Sequence, residues 1–280
     1  MVGVTDIPLR FWRDDAILVA VQASLVALPG AGAPAWVGRF VSSKWALILP
    51  GSIAVVIAGL ALAPGAADGL TWLAFVAIPP GAALALGWAM RGARPWLAVL
   101  AVPLLAVAMI WVDHVAGDAA AVALTALSCV TLGRLLAAVA PLWTLEAGIV
   151  AMATVDAILV FSHGLQQPNT VLVTAVPAVG GFHLPRLQVA NLDWAQLGYG
   201  DLFIAGVLGG VVAARSGPPV VLALATLICG LAFDQLFWVR DVLPATVPVA
   251  LVTVGWGVTR YWGYTGRSSF GARPRRAAGS

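Results

Sequence analysis

The stretch Leu197-Gly198-Tyr199-Gly200-Asp201-Leu202-Phe203-Ile204-Ala205-Gly206 carries a carboxylate into the opening of a long apolar run. Upstream, Met152-Ala153-Thr154-Val155-Asp156-Ala157-Ile158-Leu159-Val160-Phe161 does the same, with no basic partner within reach along its own helix. An acid inside a membrane span costs several kcal/mol and is a functional candidate by default. Whether these runs cross a membrane therefore decides the reading of the whole chain.

Composition answers that they do. Of 280 residues, 61% are hydrophobic and only 10% charged, and the mean hydropathy is +0.97. A soluble domain carries about 25% charged residues, so this chain cannot coat a water-facing globule. Intrinsic disorder, a disulfide scaffold and a secreted enzyme are excluded. Cys129 and Cys229 both sit in apolar runs and read as small core residues, without disulfide or zinc spacing. At the N-terminus, Ala31-Gly32-Ala33 resembles a cleavage site. Asp14 and Asp15 against the apolar run, and Pro34 directly after the cut, favour a retained first span.

A helix needs about 20 apolar residues to cross the hydrocarbon. Breaks at charged and Pro/Gly-rich points give nine stretches near 15–36, 45–64, 70–89, 95–112, 119–141, 145–163, 197–214, 218–239 and 242–259. The expected fold is an all-α polytopic membrane protein of nine transmembrane helices. Arg134 lies inside the fifth stretch and is expected to snorkel. The connections are short except for 164–196, which holds Pro168, Pro177 and Pro185. That segment reads as extended chain, with a strand expected over Leu184 to Ala190.

Counting Lys and Arg on alternate sides gives four (Arg10, Arg13, Arg186, Arg240) against eleven, five of them in the tail: Arg260, Arg267, Arg273, Arg275 and Arg276. The positive-inside rule puts the C-terminus in the cytoplasm and the N-terminus outside. The net charge of +3 and pI near 9.3 are thus assigned to the membrane surface, and nucleic acid is not an expected partner.

In this topology Asp156 lies about 10 Å below the outer end of span six and Asp201 about 6 Å below that of span seven. Two acids at similar depth on antiparallel neighbours can meet as a dyad. Two carboxyls about 3 Å apart share one proton. The ionised one takes a proton from an attacking water while the protonated one polarises an amide carbonyl. Around Asp201, Ala205 and Gly209 share its helical face, and Gly206 with Gly210 makes a small-residue face for close helix approach. Glu146, in the first turn of span six, reads as an acid at a helix N-terminus. Asp234, near the outer end of span eight, reads as structural or interfacial, within range of Arg240. His114, His163 and His183 fall on the outer side without metal-ligand spacing, and no metal is expected.

Gly198-Tyr199-Gly200-Asp201 opening a span, an aspartate in the span before it, and Leu243-Pro244-Ala245-Thr246-Val247-Pro248 in the last span together resemble the presenilin and signal peptide peptidase group of intramembrane aspartyl proteases. The resemblance covers spans six to nine, and the count of nine agrees. It implies a presenilin-like arrangement, a catalytic pair of Asp156 and Asp201, and no cofactor. It further implies a substrate-binding set of Gly198, Tyr199, Gly200, Pro244, Ala245 and Thr246. A strand beside the Gly-Tyr-Gly-Asp span would pair with the unwound substrate, which brings in Leu187 and Val189. Val155 stands where family members often have Tyr, and Thr246 replaces the Leu of Pro-Ala-Leu. The predicted orientation matches signal peptide peptidase, so substrates would be single-span segments entering with their N-terminus in the cytoplasm.

The expected organisation is a five-span scaffold over 1–141, a catalytic region over 142–265 and a basic, disordered cytoplasmic tail over 266–280. Partners are transmembrane peptide or protein substrates and the lipid bilayer, and a homo-oligomer is compatible with this reading. Three other readings stay open: a prepilin-type peptidase, whose usual Lys two residues past the motif's Asp is here Phe203; a proton-coupled transporter using the buried acids; and a catalytically silent homologue.

Overall fold

The structure is a computed structural model that describes residues 9–32, 37–62, 65–112, 114–162, 178–179, 182–240 and 242–269. Its helices, in chain order, are α1 (Leu9–Ala27), α2 (Ile48–Leu62), α3 (Ala66–Leu84), α4 (Ala101–Ile110), α5 (Val115–Val139), α6 (Leu142–Phe161), α7 (Tyr199–Ala214), α8 (Pro219–Asp234) and α9 (Thr246–Ser269). A π turn (Ala85–Ala89) extends α3, and 3-10 turns at Pro95–Leu100 and Gln235–Trp238 extend α4 and α8. Each helix overlaps one of the nine apolar stretches, although α1 begins at Leu9 and ends at Ala27, where 15–36 was expected.

Four of them are both long and apolar enough to cross a membrane unaided: Ala66–Ala89, Val115–Val139, Leu142–Phe161 and Pro219–Trp238. Of the nine transmembrane helices expected, four are thus supported by length and composition among the described residues. The others fall short for reasons that differ from helix to helix. Arg10, Arg13, Asp14 and Asp15 crowd the start of α1, while α2 has 15 residues and α7 has 16. Threonines, glycines and Arg260 dilute α9. The protein is nonetheless a membrane-type helical bundle. Leu73, Val76, Val102, Ile110 and Ile228 stand 62–71% exposed on its outside, where only lipid makes such a surface comfortable.

The chain is not purely helical. Four short strands form two antiparallel hairpins: β1 (Ala178–Val179) with β2 (Phe182–His183), and β3 (Val189–Leu192) with β4 (Ala195–Gly198). In the second hairpin Val189 faces Gly198 and Leu192 faces Ala195. The strand expected over Leu184 to Ala190 thus begins only at Val189. Leu187 is buried against α5, and its carbonyl accepts the Thr125 hydroxyl at 2.9 Å, which withdraws it from any ladder. His163, most of the segment before β1 and the tail beyond residue 269 lie outside the described residues.

At the centre runs α7, with every residue from Leu202 to Ala213 buried. The Gly206/Gly210 face is what allows this. A methyl group at Gly206 would strike the backbone of Cys129, one at Gly210 the backbone of Gly133, and one at Gly209 the Leu25 carbonyl of α1. Backbones in direct contact replace side-chain interdigitation, a device common where helices cannot gain from expelling water.

Polar contacts tie the other end of the bundle. Arg134 does not snorkel into headgroups. It is buried, donates to the carbonyls of Ala31, Gly32 and Trp88, and lies 4.1 Å from the Trp88 ring centroid. Glu146 is likewise more than a helix-end acid: it pairs with Arg215 of the loop after α7 at 3.1 Å and with Arg260 of α9 at 2.6 Å. Both arginines close the free charge of one carboxylate on three neighbouring elements.

Candidate functional site

β4 runs into α7 with no intervening loop, and Gly198 is both the last strand residue and the helix N-cap. Asp201, at the third helical position, folds back so that Oδ2 accepts the Gly198 N–H at 3.0 Å. This satisfies one orphan donor of the first turn with a carboxylate, favourable at the positive end of a helix. A Cβ on residue 198 would sit 3.1 Å from that oxygen, so glycine is what leaves room for the fold-back. At position 200, a Cβ would press on Met152 of α6. The Tyr199 hydroxyl bonds the Ser128 hydroxyl at 3.1 Å, pinning the turn to α5.

Asp156 projects from the last third of α6 and is 9% exposed. Its Oδ2 accepts the Thr246 hydroxyl at 2.7 Å, and Thr246 is itself the first residue of α9. The Pro-Ala-Thr element thereby sits directly on the first aspartate. Gln22 of α1 completes the frame. Its Nε2 donates to the carbonyls of Asp201 and Ala245, each at 3.0 Å, tying the starts of α7 and α9 together.

Asp156 and Asp201 line one cavity of about 1310 Å³ and are near enough for their charges to interact. Gly198, Tyr199, Gly200, Pro244, Ala245, Thr246 and Val189 line it with them. Leu187 does not, because it faces the core beneath α5. The hairpin is held over the cavity from its turn, where the Trp194 N–H donates to Asp14 Oδ2 at 3.3 Å.

Two features were not singled out from the sequence. Gln22 was detectable as a lone amide inside an apolar run. The second feature is an acid pair: Asp15 of α1 and Asp234 of α8 lie on the same cavity wall, near enough for their carboxyls to interact. Asp234 forms no ion pair with Arg240. Among the described residues no group of three or more His, Cys, Asp or Glu side chains could hold a metal ion.

Chemically, the arrangement offers two carboxyls on opposed helices, each fixed through one oxygen, beside a cavity large enough for a stretch of polypeptide. No family model matches the chain, and no curated protein or solved structure matches it either.

Proposed function

We propose that the protein is an intramembrane aspartyl endopeptidase that cleaves single-span substrates with Asp156 and Asp201, in the manner of the presenilin and signal peptide peptidase group that its motifs resemble. The observation that carries this reading is the meeting of both aspartates, the Gly198-Tyr199-Gly200 turn and the Pro244-Ala245-Thr246 element on one cavity.

The two carboxyls hold one proton between them. The ionised carboxylate takes a proton from water as its oxygen attacks the amide carbon, and the protonated carboxyl hydrogen-bonds to the carbonyl oxygen that gains charge. Collapse of the tetrahedral intermediate breaks the C–N bond, and the proton taken from water passes to the leaving nitrogen. The dyad acts as a unit, so neither role is assigned to one residue. Gly198, Thr246 and Gln22 hold the acids in place. No cofactor takes part.

A substrate helix must unwind before its amide can be attacked, and its freed backbone groups need partners in a poorly solvated place. The β3–β4 hairpin, with Val189 and Gln196 on the cavity wall, is positioned to lend an edge by strand addition. In this reading all nine helices cross together, the short α7 sheltered from lipid by its neighbours, with the N-terminus outside and the C-terminus in the cytoplasm.

A single-span peptide carrying a hydroxyethylene group in place of one amide tests the site. It should bind the reconstituted protein at least tenfold more tightly than its amide parent, since it imitates the tetrahedral intermediate. Equal affinity for the two would contradict the proposal.

A further inference from the structure

The acid pair of Asp15 and Asp234 stands apart from the dyad and has no role in the proposed chemistry. Both residues are more than nine-tenths buried, and Asp234 Oδ2 is enclosed without a hydrogen-bond donor. A buried carboxylate oxygen left unpaired is costly unless something donates to it. Beside the pair, Phe11 and Phe237 reach the same cavity wall, their ring centroids 5.3 Å apart in a T-shaped contact. Carboxyls flanked by aromatic rings recognise an organic cation through hydrogen bonds and the negative ring faces.

Among the described residues, none supplies that cation to Asp234. Arg240 is the only basic residue among the described lining residues, and it is exposed and forms no ion pair with Asp234. Arg13 is taken by Asp14 at 2.8 Å. The location then says which ligand fits. Asp15 precedes Gln22 by seven residues and shares its face of α1, so it lies about 10 Å along the axis from the residue that holds Asp201. An extended peptide covers about 3.3 Å per residue, placing the pair about three residues from a bond held at the dyad.

We infer that Asp15 and Asp234, with Phe11 and Phe237, form a subsite for a lysine or arginine side chain of the substrate, about three residues from the scissile bond toward the end of the bundle where α1 begins. The inference rests on the endopeptidase reading and names a substrate feature for it.

The test uses the full-length protein in lipid nanodiscs and peptides bearing Lys, norleucine or Glu at each of positions one to six on either side of the cut. For the wild-type protein, kcat/KM should be about tenfold higher for Lys than for norleucine near the third position, with Glu lower still, the size expected of one charge-assisted contact. In Asp15→Asn/Asp234→Asn the ratio of Lys to norleucine should fall to about one. A second arm measures binding of the same peptides to Asp156→Asn by fluorescence anisotropy, which reads the subsite without any cleavage. A Lys preference in binding with no cutting by any form would sink the protease reading and keep the subsite. A flat wild-type series in both arms overturns the subsite, whatever the variant does. So does a Lys preference that survives in the double variant. Loss of the preference on adding choline or a divalent cation at millimolar concentration would assign the pair to that cation instead and also overturn it.

Discussion

The hydroxyl of Thr246 donates a 2.7 Å hydrogen bond to Oδ2 of Asp156, joining the first residue of the last helix to an acid ninety positions earlier. That bond holds one carboxyl while the Gly198 N–H holds the other. Thr246→Val keeps the shape and removes the donor. A hydrogen bond to a charged group is worth about 1.5–3 kcal/mol. We therefore expect kcat to fall at least tenfold with KM little changed, and Thr246→Ser to restore most of it. Steady-state cleavage of a fluorogenic single-span peptide reads both constants.

Gln22 gives its amide to two carbonyls on different helices. Gln22→Leu leaves both without that donor in a buried place, a loss of about 1–3 kcal/mol. The thermal midpoint in detergent should drop by several degrees. Gln22→Glu should fare no better, since a carboxylate cannot donate to them.

Close approach of α5, α1 and α7 depends on residues without side chains. Gly206→Leu and Gly209→Val each drive carbons into a neighbouring backbone. Neither variant should yield a monodisperse protein on size-exclusion chromatography, whereas Gly255→Ala, on an open face of α9, should behave as the wild type does.

At the opposite end, Glu146 pairs with both Arg215 and Arg260. The arginine side chains are 31% exposed, so solvent screens the pairs and the loss in Glu146→Gln should be about 1 kcal/mol or less. Unfolding midpoints should fall slightly, and more at low than at high salt, while peptide cleavage continues.

Much of this was legible in the sequence because lipid imposes a simple rule: runs of apolar residues become helices, and the nine runs did. The acids Asp156 and Asp201 stood out by the same rule, and Gly206 and Gly210 showed their spacing. What could not be read were relations between distant segments. Arg134 looked like a snorkelling side chain, because only the fold brings the Ala31, Gly32 and Trp88 carbonyls around it. Asp15 looked like part of a charged flank beside Arg13, and its partner Asp234 is on α8. The strand was misplaced at Leu184 to Ala190 because local β-propensity does not reveal that Leu187 is needed in the core or that Gly198 sets the hairpin register. The same holds for α7, which is too short to qualify as a span by itself and is buried among its neighbours.

The central claim is that Asp156 and Asp201 act as one water-activating pair. Its most direct test is cleavage of a labelled single-span peptide by the purified, reconstituted protein beside Asp156→Asn and Asp201→Asn, with fragments identified by mass spectrometry. The account predicts a cut within the transmembrane segment by the wild type and a loss of at least a thousandfold in each variant. Equal cutting by all three forms, or none by the wild type across several substrates, would contradict it.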